Sequence, residues 1–330
     1  MNQKKQRIGL IYGGQGRERE VSVCGRNHIL PLIEADDREI IQIFIDKDGR
    51  WLTEKGEVCP YRGGFISPEN GDFIAVDCAI PLLHGDFGED GRVQGALEVA
   101  SIPYVGCDVS GAAVCRDKVF VKTIAKHIGI PTLPYLLVLK NEGIDYAIRQ
   151  AEESFYYPLF VKPTSLGSSV GVCAAESHRE LVSALTVAFT LSERAMIEPY
   201  LTDKRELECG YLGVKGKEIF TNPGEILCEG LYGYEEKYSS DRVALAIRAD
   251  LGESHSHAIR DYSRRLVRAL GVRDLCRVDF FLSDDRIYLN EINTMPGFTD
   301  GSLYARMIEA YGISEGGLFS LLIDNCVCRE

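Results

Sequence analysis

The chain has 330 residues, a mass of 36.7 kDa, 45% hydrophobic and 26% charged residues, and a net charge of −12. This length exceeds what one hydrophobic core usually organises, so two or three domains are expected within an ordinary soluble globular composition. The acidic balance excludes a phosphate-backbone partner such as DNA or RNA, while leaving room for a small anionic ligand held by local basic groups.

Met1 to Arg7 is polar and basic, and Ile8 to Tyr12 is too short for a signal-peptide core. No run approaches bilayer length, so a cytoplasmic protein without a membrane partner is expected. Ile8 to Tyr12 reads as a strand entering Gly13-Gly14, with a helix from about Glu20. Ile40 to Ile45 and Ala79 to Leu83 read as further strands, then a helix near Val93 to Ala100 and a strand at Ile102 to Gly106. Alternating strands and helices predict a Rossmann-like parallel sheet, whose open end binds ligands.

From Cys107 a second block begins: a helix from Asp117 to Ile128, a strand at Tyr135 to Leu139 and a helix from Ile144 to Glu153. Tyr157 to Pro163 and Gly171 to Cys173 then flank Ser165-Leu166-Gly167-Ser168-Ser169-Val170-Gly171. Such a loop can fold over phosphates through its backbone N–H groups, with Lys162 adding positive charge. It also matches a plain flexible hairpin, and no Gly-Lys-Ser/Thr opens a helix as a Walker A motif requires. The third block predicts strands at Glu206 to Val214 and Lys217 to Thr221, a polar, aromatic loop from Tyr232 to Asp241 with the character of a lid, and a helix from Ser254 to Leu270. The 11 cysteines lack C-x-x-C spacing and read as small buried hydrophobes.

The most informative stretch comes last. Arg277-Val278-Asp279-Phe280-Phe281 and Tyr288 to Gly297 flank Ser283-Asp284-Asp285-Arg286, which predicts a hairpin. An odd turn, Ser283 to Asp285, would set Arg277 opposite Glu291 with Asp279 diagonal to it, so that Arg277, Asp279, Glu291 and Asn293 share one face. Two carboxylates and an amide oxygen form a hard oxygen site of the kind Mg²⁺ uses beside phosphates. Carboxylates beside an arginine also occur as a solvated, salt-bridged face. The Pro296-Gly297 turn favours the site, since it brings bare N–H groups to the same face, as an oxyanion requires.

Together with Gly13 to Ser22, Leu83-His84-Gly85 through Gly91, Asp117-Lys118, Gly167 to Gly171 and Glu236-Lys237-Tyr238, these segments resemble the D-alanine-D-alanine ligases of the ATP-grasp superfamily. The motifs run in the family's order over nearly the whole chain. The resemblance implies an ATP-grasp fold after an N-terminal Rossmann-like parallel-sheet domain, divided as 1–106, 107–201 and 202–330. It implies that Glu18 holds the ammonium of the first D-alanine, that Ser168 and Tyr238 join it in a network closing the lid, and that His84 lies beside that substrate. It assigns Lys118, Lys162 and Lys237 to ATP phosphates, Glu198 and Leu201 to the adenine segment, and Glu206 to the ribose. Asp279, Glu291 and Asn293 match the metal ligands, for two Mg²⁺ ions with Mn²⁺ as an alternative. Arg277 and the Gly297 N–H would meet an oxyanion, and Ser302 and Leu303 would hold the second substrate's carboxylate.

The implied reaction is ATP-dependent dipeptide formation through D-alanyl phosphate, for peptidoglycan precursors, by a homodimer. One departure stands out: where the family usually has Ser-His-Ser-Leu, the chain reads Asp300-Gly301-Ser302-Leu303. This leaves D-serine, or less readily D-lactate, as an alternative second substrate, with Asp300 read either as a partner for the serine hydroxyl or as a solvated loop carboxylate. A catalytically silent ATP-binding regulator and a natural-product ligase are the other readings.

Overall fold

The computed structural model describes residues 5–34, 38–227, 244–299 and 301–329, and these form three sheets. The first contains β1 (Arg7–Gly13), β2 (Glu39–Ile45), β3 (Trp51–Thr53), β4 (Gly56–Tyr61), β5 (Gly64–Ile66), β6 (Phe73–Ala75) and β7 (Cys78–Pro81), ordered β6-β5-β4-β3-β2-β1-β7. Only the β2-β1-β7 core is parallel; β2 to β6 form an antiparallel meander. The expected parallel sheet is therefore present but smaller than the sheet that carries it. The expected strand at Ile102 to Gly106 shrinks to one parallel bridge, Tyr104 to Ala79, because Pro103 has no N–H to donate. The helices α1 (Arg19–Glu34) and α2 (Arg92–Val99) follow β1 and β7.

Next come α3 (Val109–Arg116) and α4 (Lys118–His127), separated by Asp117, whose carboxylate accepts from the N–H groups of Val119 and Phe120 as the N-cap of α4. The second sheet is antiparallel, in the order β10-β9-β11-β8, from β8 (Leu136–Leu139), β9 (Leu159–Pro163), β10 (Cys173–Ala175) and β11 (Arg194–Pro199). It is covered by α5 (Ile144–Ser154) and α6 (His178–Leu191), whose buried Ala147, Ile148, Leu181 and Leu185 pack on Val161 and Ile197.

The third sheet holds β12 (Arg205–Val214), β13 (Lys217–Phe220), β14 (Gly224–Leu227), β15 (Ala244–Ala246), β16 (Asp274–Ser283) and β17 (Arg286–Asn293). Its order is β15-β14-β12-β16-β17, and β13 pairs with β12. The long amphipathic helix Glu253–Leu270 packs Ile259, Leu266 and Val267 on this sheet. So do α3 and α4, through Ala112, Cys115 and Val121. The C-terminal helix Glu315–Val327 ties first and third sheets together, burying Leu318, Leu322 and Ile323 among Ile8, Leu10, Ile80, Leu212 and Leu275. Each such aliphatic contributes about 1.5–3 kcal/mol relative to exposure. Six of the ten described cysteines are buried and free, as their apolar surroundings in the sequence predict.

Candidate active site

The hairpin of β16 and β17 differs from the expected register in an instructive way. Its turn has two residues, Asp284 and Asp285, with φ of 47° and 62°, and Ser283 pairs with Arg286. This is the left-handed geometry that suits the twist of a tight hairpin. A two-residue turn alone would put Glu291 on the face away from Asp279. The register shifts between Asp279 and Phe280, so Leu289 pairs with Phe280, Glu291 with Asp279 and Asn293 with Arg277. Asn290 is the extra residue of a bulge, and it too lines the cleft. The expected common face is therefore made by an even turn and a bulge, not by an odd turn.

This face forms one wall of a cleft between the second and third sheets, with about 720 Å³ of empty space that includes open solvent. Arg277 is bonded twice to Asp279, at 2.7 Å each, and its Nε lies 3.1 Å from Glu208. Burial opposes the guanidinium charge, but Asp279 and Glu208 more than offset it and hold its pKa well above the ordinary value. Asn293 donates to Asp279 at 3.0 Å. Lys118 Nζ lies 3.1 Å from Glu291 and donates to the Leu166 carbonyl at 2.7 Å, tying hairpin to serine loop. Among the described residues no group of three His, Cys, Asp or Glu side chains is placed to hold a metal. The donor set here is instead two carboxylates on the cleft and the Asn293 amide in a small adjoining cavity that Glu291 also lines, hard oxygens that fit Mg²⁺ sharing its shell with phosphates.

From the second sheet, Lys162 donates to Asn290 Oδ1 at 3.1 Å and pairs with Glu198. Glu198 is buried and also bonds Lys122 at 2.6 Å. Burial raises its pKa, but the two lysines prevail and lower it to about 2. The side chain of Glu198 is thus a counter-ion, leaving only its backbone for a base, and Leu201 is half-buried just beyond β11. Glu206 lines the cleft and bonds Lys204 at 2.5 Å.

Glu18 lies at the start of α1 and is buried, accepting from Ser168 Oγ and lying 3.6 Å from Arg116. The serine loop has left-handed residues at Ser168 and Ser169, φ 50° and 58°, which bend it over this carboxylate. His84 is buried nearby, and burial lowers its pKa, so it is neutral at pH 7. A Cβ on Gly297 would meet no atom within 4 Å beyond its chain neighbours, so the turn leaves room beside this residue. Ser302 donates to the Gly297 carbonyl at 2.5 Å and precedes the short helix Leu303–Glu309, where Leu303 is buried. Lys237, Tyr238 and the rest of Tyr232 to Asp241, along with Asp300, lie outside the described residues.

The structure thus gathers Lys118, Lys162, Glu206, Arg277, Asp279 and Glu291 round one cleft, with Glu18, Ser168 and His84 in a neighbouring group. Sequence reasoning missed Lys122, Lys204, Glu208, Asn290 and the Arg116 cluster. Two of these carried a signal: Lys122 is one helical turn after Lys118, and Glu208 shares a strand face with Glu206.

Comparison with known proteins identifies the family. Residues 7–107 match the family model of the D-ala D-ala ligase N-terminus and residues 124–324 that of the C-terminus. The D-alanine-D-alanine ligase of Caldicellulosiruptor bescii is 37% identical, over 98% of this chain and 94% of the relative. The crystal structure of D-alanyl-alanine synthetase A from Vibrio cholerae superposes with a TM-score of 0.90 at 31% identity, covering 99% of this chain and 100% of that one. VanG D-Ala:D-Ser ligase from Enterococcus faecalis superposes with a TM-score of 0.86 at 30% identity, over 97% and 99%. Family models, relatives and fold agree: the chain belongs to the D-alanine-D-alanine ligase family of ATP-dependent ligases.

Proposed function

We propose that the chain joins two D-alanine molecules at the expense of ATP, through D-alanyl phosphate, to supply peptidoglycan precursors in the cytoplasm. The observation that carries this is the serine loop, which joins both groups of residues: its Leu166 carbonyl accepts from Lys118 and its Ser168 hydroxyl donates to Glu18. A phosphate donor in the cleft and an amino acid at Glu18 would therefore meet beneath one loop. Phosphoryl transfer to a carboxylate joins two anions, and Lys118 and Lys162 would screen their repulsion. Asp279, Glu291 and Asn293 would hold Mg²⁺, two ions with Mn²⁺ as the alternative, which when bound neutralises charge on the phosphates. Glu198 and Leu201 would offer backbone to adenine, Glu206 its carboxylate to ribose, and Lys237 a further phosphate contact.

Glu18 would fix the first ammonium, with His84 beside it and Ser168 and Tyr238 completing the network. The second amine would then attack the acyl phosphate. Arg277 and the Gly297 N–H would receive the oxyanion, a contact worth about 10² to 10³ in rate per donor. Ser302 and Leu303 would seat the second carboxylate. A homodimer divided at 106 and 201 completes the reading; among the described residues no helix is long and apolar enough to cross a membrane.

D-serine as second substrate is kept as the alternative by one departure from the family's pattern, Gly301 where the family usually has histidine. The test is phosphate release from ATP and Mg²⁺ with D-alanine alone, then with D-serine or D-lactate added, products being identified by mass. A D-alanine dipeptide supports the first reading, and a dominant mixed product the second. No turnover with any pair sinks both.

A further inference from the structure

Arg116, the last residue of α3, stands beneath the serine loop so closely that a Cβ on Gly167 would lie 2.9 Å from its Nη1. Three carboxylates from outside its own helix surround the guanidinium: Glu18 at 3.6 Å, Asp86 at 3.4 Å and Glu89 at 3.5 Å. The Arg116, Glu18 and Glu89 side chains are 11%, 10% and 10% exposed, so water screens them little. The sequence motifs assign no role to Arg116 or Glu89, and the reaction steps above use neither.

One cation among three carboxylates leaves an excess of negative charge that suits an incoming ammonium. It also poses a problem, because a guanidinium beside Glu18 competes with the ammonium that Glu18 is to hold. Glu89 relieves the competition. Its Oε2 takes Nη1 of the guanidinium, whereas Glu18 lies nearer Nη2, and the same Oε2 is anchored by the Gly85 N–H at 2.8 Å. We propose that Glu89 and Arg116 are a positioning pair for the first amino acid's subsite, in which Glu89 engages the guanidinium so that it orients Glu18 without neutralising it. This deepens, and rests on, the reading of Glu18 as the ammonium's partner.

Burial raises the Glu89 pKa to about 7, with Arg116 pulling it down and Glu18 pushing it up. Asp86 acts on it through Arg116, Lys118 and Glu291 line the same small cavity, and His84 nearby is uncharged. Ionised Glu89 is the form that occupies Arg116. Binding of the first amino acid should therefore strengthen as pH rises through about 7.

The experiment varies D-alanine at saturating ATP in the full-length enzyme. Fitting phosphate release to the rate law for two D-alanine molecules separates the first-subsite KM from the second. E89Q and R116Q should each raise the first-subsite KM about tenfold or more: E89Q lets Arg116 neutralise Glu18, and R116Q leaves two facing carboxylates to share a proton. The KM for ATP should stay within about twofold. The double variant E89Q/R116Q removes one charge of each sign and should bind the amino acid more tightly than either single variant, which loss of packing would not produce. The rise in kcat/KM through pH 7 should vanish in E89Q and persist in E89D, a comparison that carries the test if R116Q does not fold. Multiplicative defects in the double variant, or a pH profile unchanged in E89Q, overturn the pair. E18Q distinguishes the two levels: an unaltered first-subsite KM there sinks the ammonium assignment itself, whereas a raised KM with multiplicative Glu89 and Arg116 effects sinks only the pair.

Discussion

Gly85 and Glu18 are in such close approach that a Cβ on Gly85 would fall 1.9 Å from Glu18 Oε2. The backbone of Gly85 also sits at φ +70°, where a side chain costs about 1–2 kcal/mol. Gly85→Ala should therefore displace the carboxylate as well as strain the loop. We expect a fall of about a hundredfold or more in kcat/KM for D-alanine with a melting temperature lowered by only a few degrees. Native-like kinetics in a folded G85A protein would show that the Glu18 carboxylate is not held where amino-acid binding depends on it.

The contact between Lys118 and Glu291, at 3.1 Å, crosses from α4 to the hairpin and places opposite charges where phosphates and metal would sit. Glu291→Gln keeps the shape of the side chain and removes its charge. Phosphate release should fall by at least about two orders of magnitude, as loss of a group that acts on developing charge does, while circular dichroism and melting change little. Excess Mn²⁺ should recover part of the loss. Unchanged turnover would remove Glu291 from the metal site.

The Lys122, Glu198 and Lys162 cluster should be visible in acid stability. Folding lowers the Glu198 pKa from an ordinary 4.5 to about 2, a difference of about 3 kcal/mol. A depressed carboxylate pKa stabilises the fold fully above the unfolded value, and the contribution is lost as pH falls from about 4.5 towards 2. Denaturant melts between pH 6 and 2 should show this steepening. Lys122→Met strands part of the Glu198 charge in the core and should cost about 3–5 kcal/mol at neutral pH. The double variant K122M/E198Q should cost less than the sum of the two single variants, because E198Q alone leaves two buried lysines, Lys122 and Lys162, without their carboxylate, and a strictly additive double would refute the coupling.

How much of this was legible in the chain follows from the range of the forces involved. The β2-β1-β7 core was readable because Ile8, Leu10 and Ile11 are buried in a continuous apolar run. The meander from Trp51 to Ala75 was not, because three of its four strands, β3, β5 and β6, have three residues each, too few to show a period. Alternation identifies the oxygen-rich face of the hairpin but not its register. Turn length and the Asn290 bulge each shift parity, and alternation alone constrains only their sum. The Arg116 cluster had no local signal, since Glu18, the segment of Asp86 and Glu89, and Arg116 at the end of α3 converge from three stretches far apart in sequence. Long-range charge pairs of this kind are created by folding, not announced by spacing.

The tip of the hairpin offers a prediction in the opposite direction, a gain. Asp284 and Asp285 both occupy left-handed backbone, φ 47° and 62°, in a turn whose best residues are Asn followed by Gly. Asp285 is 90% exposed, and its contact with His255 at 3.3 Å is a surface pair of little worth. Replacing the pair by Asn-Gly should therefore relieve backbone strain faster than it loses contacts, stabilising the protein by about 0.5–1 kcal/mol. The turn lies at the far end of the hairpin from Asp279 and Glu291, so kcat and KM should be unaltered. Thermal melts of D284N/D285G beside the parent, together with phosphate-release kinetics, check both halves. A loss of stability would mean that the two aspartates make contacts outweighing their conformational cost, and a loss of activity would mean that turn geometry reaches the bulge that sets the metal-binding face.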